Sequence, residues 1–166
     1  SQILPKDYRR KGDIELILRE MAEQVAVRLR RVRKKTTCVS IHVGYSRTEE
    51  KKSIQAQRKI DPTNQTKPLT EVVLDLFRQK YTSGAVRRVG VSYQGLVDEA
   101  ITVYSLFDDY EQVEKEEKLQ KAVDTIRDEF GFTSLLKANS LLESSRVKAR
   151  SQLVGGHSAG GLDGLT

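Results

Sequence analysis

Two stretches of helical periodicity, each framed by stretches that alternate, leave this chain very few folds to adopt. From Asp13 to about Arg33, Ile14, Ile17, Leu18, Met21, Val25 and Leu29 recur at spacings of three and four. Arg28, Arg30, Arg31 and Arg33 gather at the C-terminal end, where cations suit the helix dipole. A second helix is predicted to begin at Pro68, with Leu69, Val72, Val73, Leu76, Phe77 and Tyr81 at the same spacing and Gly84 as its stop. Four strands are predicted around them: Ser1–Leu4, closed by Pro5, then Thr36–Val43, Ser53–Ile60 and Ala85–Leu96. A charged hairpin at Arg47–Lys52 and a turn-rich Asp61–Lys67 complete the connections. The order strand, helix, strand, strand, helix, strand is a split βαβ (βαββαβ) arrangement. It belongs to the α+β class, a four-stranded sheet with both helices on one face and the other face open.

Alternation then assigns the faces. Val39, Ile41, Val43, Ile54, Ala56, Ile60, Val89 and Val91 point to the helices. The open face receives Thr36, Ser40, His42, Ser53, Gln55, Gln57, Lys59, Arg88 and Ser92: hydroxyls, amides and cations, without a large apolar member. Such donors contact phosphate oxygens and seat a protein on a duplex without reading its sequence. Arg87 and Arg88 beside Gly90 strengthen that reading, because glycine admits a close ligand backbone. The competing reading is an ordinary solvated sheet face.

Past Leu96 the composition shifts. Residues 1–100 carry a net charge of +9 and residues 101–166 a net −3, so a basic unit suited to a polyanion precedes a mildly acidic tail. The predicted division is a sheet domain over 1–97, a linker over 98–110, a helical tail over 111–154 and a glycine-rich end over 155–166. In the tail, Glu111–Phe130 reads as a helix with a narrow stripe of Val113, Leu119, Val123, Ile126 and Phe130. No apolar run approaches the roughly 18 residues of a membrane span, and no basic-then-apolar leader precedes the first strand. The expectation is a cytoplasmic protein without a membrane partner, and a piece of a longer chain, since Ser1 is no initiator. The single Cys38 excludes an internal disulfide and reads as a packing thiol.

Catalytic signals are poor. His42 and His157 stand far apart with no cysteine cluster or paired carboxylates, so no metal site is expected and His42 reads as a surface donor. Asp108 and Asp109 read as a solvated acidic turn. There is no P-loop, nucleophile elbow or dinucleotide-binding glycine set.

Several stretches together resemble a known family. Ala85–Leu96, AVRRVGVSYQGL, is similar to the last strand of the little-finger domain of Y-family, UmuC-like translesion DNA polymerases. The VYSLFDD of residues 103–109 falls at the spacing of that family's QLSLFDD segment, and Ser1–Leu4 looks like its opening strand. FGFTSLLKANSLL and the terminal QLVGGHSAGGLDGL resemble the tail of UmuC-like members from Gram-positive bacteria. The resemblance implies a non-catalytic module that grips double-stranded, template-primer DNA through the open face, with Arg87 joining the residues above. The fragment itself needs no cofactor; Mg²⁺ and its carboxylates belong to a polymerase core upstream. It also implies the rest of the polymerase chain as a partner, a place on nucleoid DNA, and a sliding clamp held through Leu106 and Phe107. Ser92 replaces a further arginine of some relatives, and Val103 and Tyr104 replace the leading Gln-Leu of the clamp segment. Rival readings are a single-stranded nucleic-acid module, which would need exposed aromatics, a small hydrolase of like topology, and a partner-docking fragment.

Overall fold

The computed structural model describes residues 1–101, 109–151, 153–154 and 157–158, the last few by their backbone only. Strands β1 (Gln2–Tyr8), β2 (Lys34–Tyr45), β3 (Ile54–Thr63) and β4 (Val86–Asp98) form one antiparallel sheet in the order β1-β4-β2-β3. Helices α1 (Lys11–Arg31) and α2 (Thr66–Lys80) lie side by side on one face. The α+β split βαβ architecture read from the periodicities is therefore the observed one.

The core forms where the inward positions of the sheet meet the two helices. Val39, Val43 and Val89 are fully buried against Ile14, Ile17 and Leu18 of α1 and Leu69, Val73 and Phe77 of α2. Phe77 stacks on Tyr81 with ring centroids 4.7 Å apart, and Tyr81 stacks in turn on Tyr45 at 6.4 Å. Tyr93, inward from β4, donates its hydroxyl proton to the Ala22 carbonyl at 2.9 Å. Burial pushes its pKa upward, keeping it a neutral donor.

Element ends differ from the sequence expectations in ways that strand position explains. β1 runs through Pro5 to Tyr8, and β3 runs through Pro62 to Thr63. Both are edge strands, where a missing N–H need not break a ladder. α2 starts at Thr66, so Pro68 sits third rather than first, still within the turn whose N–H groups lack helical partners. It ends at Lys80, ahead of Gly84. α1 lies two residues earlier than expected, and Arg33 leaves it at φ 52°.

Helix α3 (Tyr110–Phe130) begins where expected, and Asp109, read as a solvated turn residue, caps it by accepting from the Gln112 N–H at 3.2 Å. After Phe130 come two short 3₁₀ turns, Phe132–Ser134 and Ala138–Leu141, a five-residue α4 (Val147–Ser151), and the pair β5 (Leu153–Val154) and β6 (His157–Ser158). The tail packs on the outer face of the helical layer, and it does so through charge. Arg30 Nε lies 2.6 Å from Asp124, Arg127 Nη1 lies 3.1 Å from Glu23, and Glu20 accepts from the Ser145 hydroxyl and from the Arg146 N–H at 2.8 Å. Much of the apolar stripe of α3 takes no part in this: Leu119, Ile126 and Phe130 are all exposed, Phe130 by 69%. On a 3.6-residue helix these three lie on average roughly a third of a turn from Asp124 and Arg127, so a face that satisfies the ion pairs leaves the stripe in solvent.

Candidate nucleic-acid interface

Strand register sets the open face in rows. Lys59, Cys38 and Gln94 make one, Gln57, Ser40 and Ser92 the next, and Gln55, His42 and Gly90 a third. Ser53, Gln55, Gln57, Lys59, Arg88 and Ser92 are exposed, while Ser40 and His42, on the central strand, are half-exposed. Gln94 was absent from the sequence-based set; it reaches Ser40 across the strands at 3.4 Å. Its position two residues beyond Ser92 on the same strand was the available signal. The Cys38 thiol is half-exposed in this face rather than packed in the core.

One expected member is placed otherwise, and the glycine beside the arginines is not open as expected. Thr36 is fully buried. Between Thr36 and Cys38 the register shifts, so that Ile60, Asp61 and Pro62 of β3 stand opposite the single Thr37 of β2. In that irregular stretch the Thr36 hydroxyl donates to the Gln94 carbonyl at 2.6 Å and accepts from the Cys38 N–H at 3.3 Å. It serves the backbone, and its one proton is no longer free for a phosphate oxygen. Gly90 is also covered: a Cβ placed there would stand 3.1 Å from that of Ser1, so its lack of a side chain accommodates Ser1 rather than an open ligand site.

Strict alternation would send Arg87 and Arg88 to opposite faces. The structure avoids this with a bulge, since Val86 and Arg88 pair with the consecutive residues Tyr45 and Gly44 and leave Arg87 as the extra residue. Both arginines consequently border one groove of about 810 Å³ at the end of the sheet, together with His42, Arg47, Lys51 and Asp7. Lys51 donates to the Ser83 carbonyl at 2.7 Å and stands 5.7 Å from the centre of the Tyr45 ring. Among the described residues, the one carboxylate lining this groove is Asp7, 3.5 Å from Arg87. Four cations against one anion give the groove a positive charge.

The electrostatics act on His42. Burial first, then Arg88 and the chain's amino group, hold its imidazolium below the ordinary value of 6.5. Because the folded pKa lies under the unfolded one, the neutral ring's contribution to stability is complete above about pH 6.5 and is lost as pH falls through the unfolded value towards the folded one. His42 followed by NMR is expected to titrate below 6.5 and to move upward in Arg88→Ala. An unchanged midpoint in that variant would show that Arg88 does not face the ring.

The rival chemistries find little here. Tyr45 and Tyr93 pack against the helices, so no aromatic of the central strands is offered to a base. The Asn64 side-chain amide donates to the Lys34 carbonyl at 3.2 Å and is committed to the fold. Among the described residues no group of three His, Cys, Asp or Glu side chains is placed to hold a metal ion, and no helix is long and apolar enough to cross a membrane.

Residues 1–106 match the impB/mucB/samB family C-terminal domain. The chain belongs to this family. Among its relatives, the putative UV-damage repair protein UvrX of Bacillus subtilis is 34% identical over 158 residues, covering 95% of this chain and 38% of the relative. A DNA polymerase IV 2 of Halalkalibacterium halodurans is 30% identical over 155 residues, covering 93% and 37%. A DNA polymerase IV 2 of B. subtilis is 31% identical over 156 residues, with 93% and 37% covered. The chain spans less than two-fifths of the length of these curated relatives. The likeness to the C-terminal region of Y-family polymerases read from the β4 strand thus holds over nearly the whole sequence. Leu106 and Phe107, the expected clamp anchors, lie outside the described residues.

Proposed function

We propose that this chain is the DNA-gripping part of a Y-family translesion polymerase, and that it seats template-primer duplex on its open sheet face by contacts to phosphates. The observation that carries this reading is the bulge at Arg87, which puts Arg87 beside Arg88 in the groove that Arg47 and Lys51 also line, next to a hydroxyl- and amide-lined sheet. A face of this composition positions a duplex without sequence preference, because hydroxyl, amide and guanidinium donors meet phosphate oxygens alike on any sequence. Single-stranded recognition by stacking is disfavoured by the inward placement of Tyr45 and Tyr93.

On this reading the fragment does no chemistry. Nucleotidyl transfer with Mg²⁺ resides in the remaining part of the parent protein, working on nucleoid DNA in the cytoplasm. Residues 1–97 form the gripping unit, 98–110 a linker, and 111–154 a tail docked on the helices. Leu106 and Phe107 hold a sliding clamp only weakly, since Val103 and Tyr104 stand where the family's segment has Gln and Leu.

The test is duplex binding as a function of salt. Each phosphate neutralised contributes a slope of roughly −0.9 in a log-log plot. The Arg87→Ala/Arg88→Ala variant is expected to bind every sequence more weakly and to flatten the slope by about 1.8 if each arginine neutralises one phosphate. Unchanged affinity and slope would reduce the face to a solvated surface.

A further inference from the structure

Where the tail crosses α1, positive charge is concentrated beyond what the fold needs. Arg146, the residue before α4, and Arg150, on it, sit one turn apart, and α4 is anchored by the fully buried Val147. Arg150 is 92% buried, yet its Nη1 has no hydrogen-bond partner, and Arg146 Nε is likewise buried without one. Glu20 is the carboxylate beside them, and it is already taken by the Ser145 hydroxyl and the Arg146 backbone N–H. Burial first pushes the Arg150 guanidinium down to about 10; Glu20 opposes this, and the nearby charges of Arg28 and Arg146 add to it. Arg28 is exposed on α1 and forms no ion pair among the described residues. A buried guanidinium left with unused donors beside two further cations is an expensive arrangement that an anion would relieve.

The place of this cluster relates it to the sheet. Ser1 lies over Gly90 on the open face, at the β1 side of β4. Its amine is depressed by burial first, then by Arg150, Arg28 and Arg88, so one residue lies within electrostatic reach of both the tail cluster and the sheet groove.

We propose that Arg28, Arg146 and Arg150 form an anion seat at the junction of the tail and α1, and that it takes a phosphodiester group of the duplex where the DNA passes the β1 edge. The proposal rests on the sheet-face reading above and extends it, making the tail part of the DNA footprint rather than an appendage. Exposed Arg28 supplies the outer guanidinium and buried Arg150 the inner one, while the Glu20 contacts hold α4 in place.

The test uses the full 166-residue chain and a duplex oligonucleotide, with Arg28→Ala/Arg146→Ala compared with Arg87→Ala/Arg88→Ala. Arg28 is exposed and Arg146 partly so, and Glu20 holds Arg146 by the backbone N–H, which alanine keeps, so the variant's thermal unfolding should match the parent. Its log-log salt slope is expected to flatten by about 1.8 if both arginines neutralise phosphates. A flattened slope in the sheet variant with an unchanged slope in the tail variant overturns the seat and leaves the sheet reading intact. Unchanged slopes in both overturn the two together. Because replacing Arg150 could disturb the tail, its guanidinium is followed instead by NMR of the Nε–H signal. A shift on adding duplex supports the seat, whereas a shift with inorganic phosphate and none with duplex would make it a site for a free anion and overturn the duplex contact.

Discussion

Phe77→Ala is expected to lower unfolding stability by about 3–5 kcal/mol, the range for removing a fully buried aromatic ring. Phe77 is completely inaccessible, sits at the centre of α2's inward face, and stacks on Tyr81 at 4.7 Å. Its removal leaves a cavity between α2 and the sheet that neighbours on two regular elements cannot fill without shifting. Tyr81 would lose its stacking partner while its hydroxyl remains bound to the Gly84 carbonyl at 2.8 Å, which limits how far the ring can collapse inward. Chemical denaturation checks this. A loss below about 1 kcal/mol, well under the usual cost of such a truncation, would mean that α2 is not held by this contact.

The second large effect belongs to the tail. Arg127 is 96% buried, pairs with Glu23 at 3.1 Å, donates to the Leu135 carbonyl from Nε at 2.9 Å and Nη2 at 2.7 Å, and lies 4.4 Å from the centre of the Phe132 ring. Arg127→Ala leaves Glu23 buried with only Lys137 nearby at 3.5 Å, and abandons the Leu135 carbonyl. Breaking one partner of a buried pair typically costs about 3–5 kcal/mol. The tail's own apolar contacts are few, so this should exceed its local docking energy. The expected result is loss of amide protection over α3 with protection retained in the sheet. Glu23→Gln together with Arg127→Met should restore much of the docking, because it removes the uncompensated charge. Global unfolding of the single variant, or protection of α3 left as in the parent, would each refute the idea of a separately docked tail.

The sheet and its two helices were legible because their burial follows local periodicity. Val39, Ile41 and Val43 alternate with Ser40 and His42, and Leu69, Val73 and Phe77 repeat at helical spacing, so each element's inward face can be read before any partner is known. The candidate interface was legible in part for the same reason, since Gln55, Gln57, Lys59, Arg88 and Ser92 are exposed on the face that alternation assigns to them. Thr36 escaped it, because its burial depends on an irregularity in β3 across the sheet, to which nothing near Thr36 in sequence points.

The α+β architecture, the polarity of the open face and the family follow from side-chain type and spacing along the chain. Tertiary structure alone decided that Arg87 joins Arg88 in one groove, because a bulge is a property of two paired strands and overrides alternation in one. It also decided which face α3 presents to the helices. A helix with an apolar stripe beside a charged one can dock by either. Asp124 and Arg127 meet Arg30 and Glu23 on the neighbouring helix, whereas Leu119 and Phe130 remain exposed. Charge complementarity of that kind exists only between surfaces that the fold has already brought together.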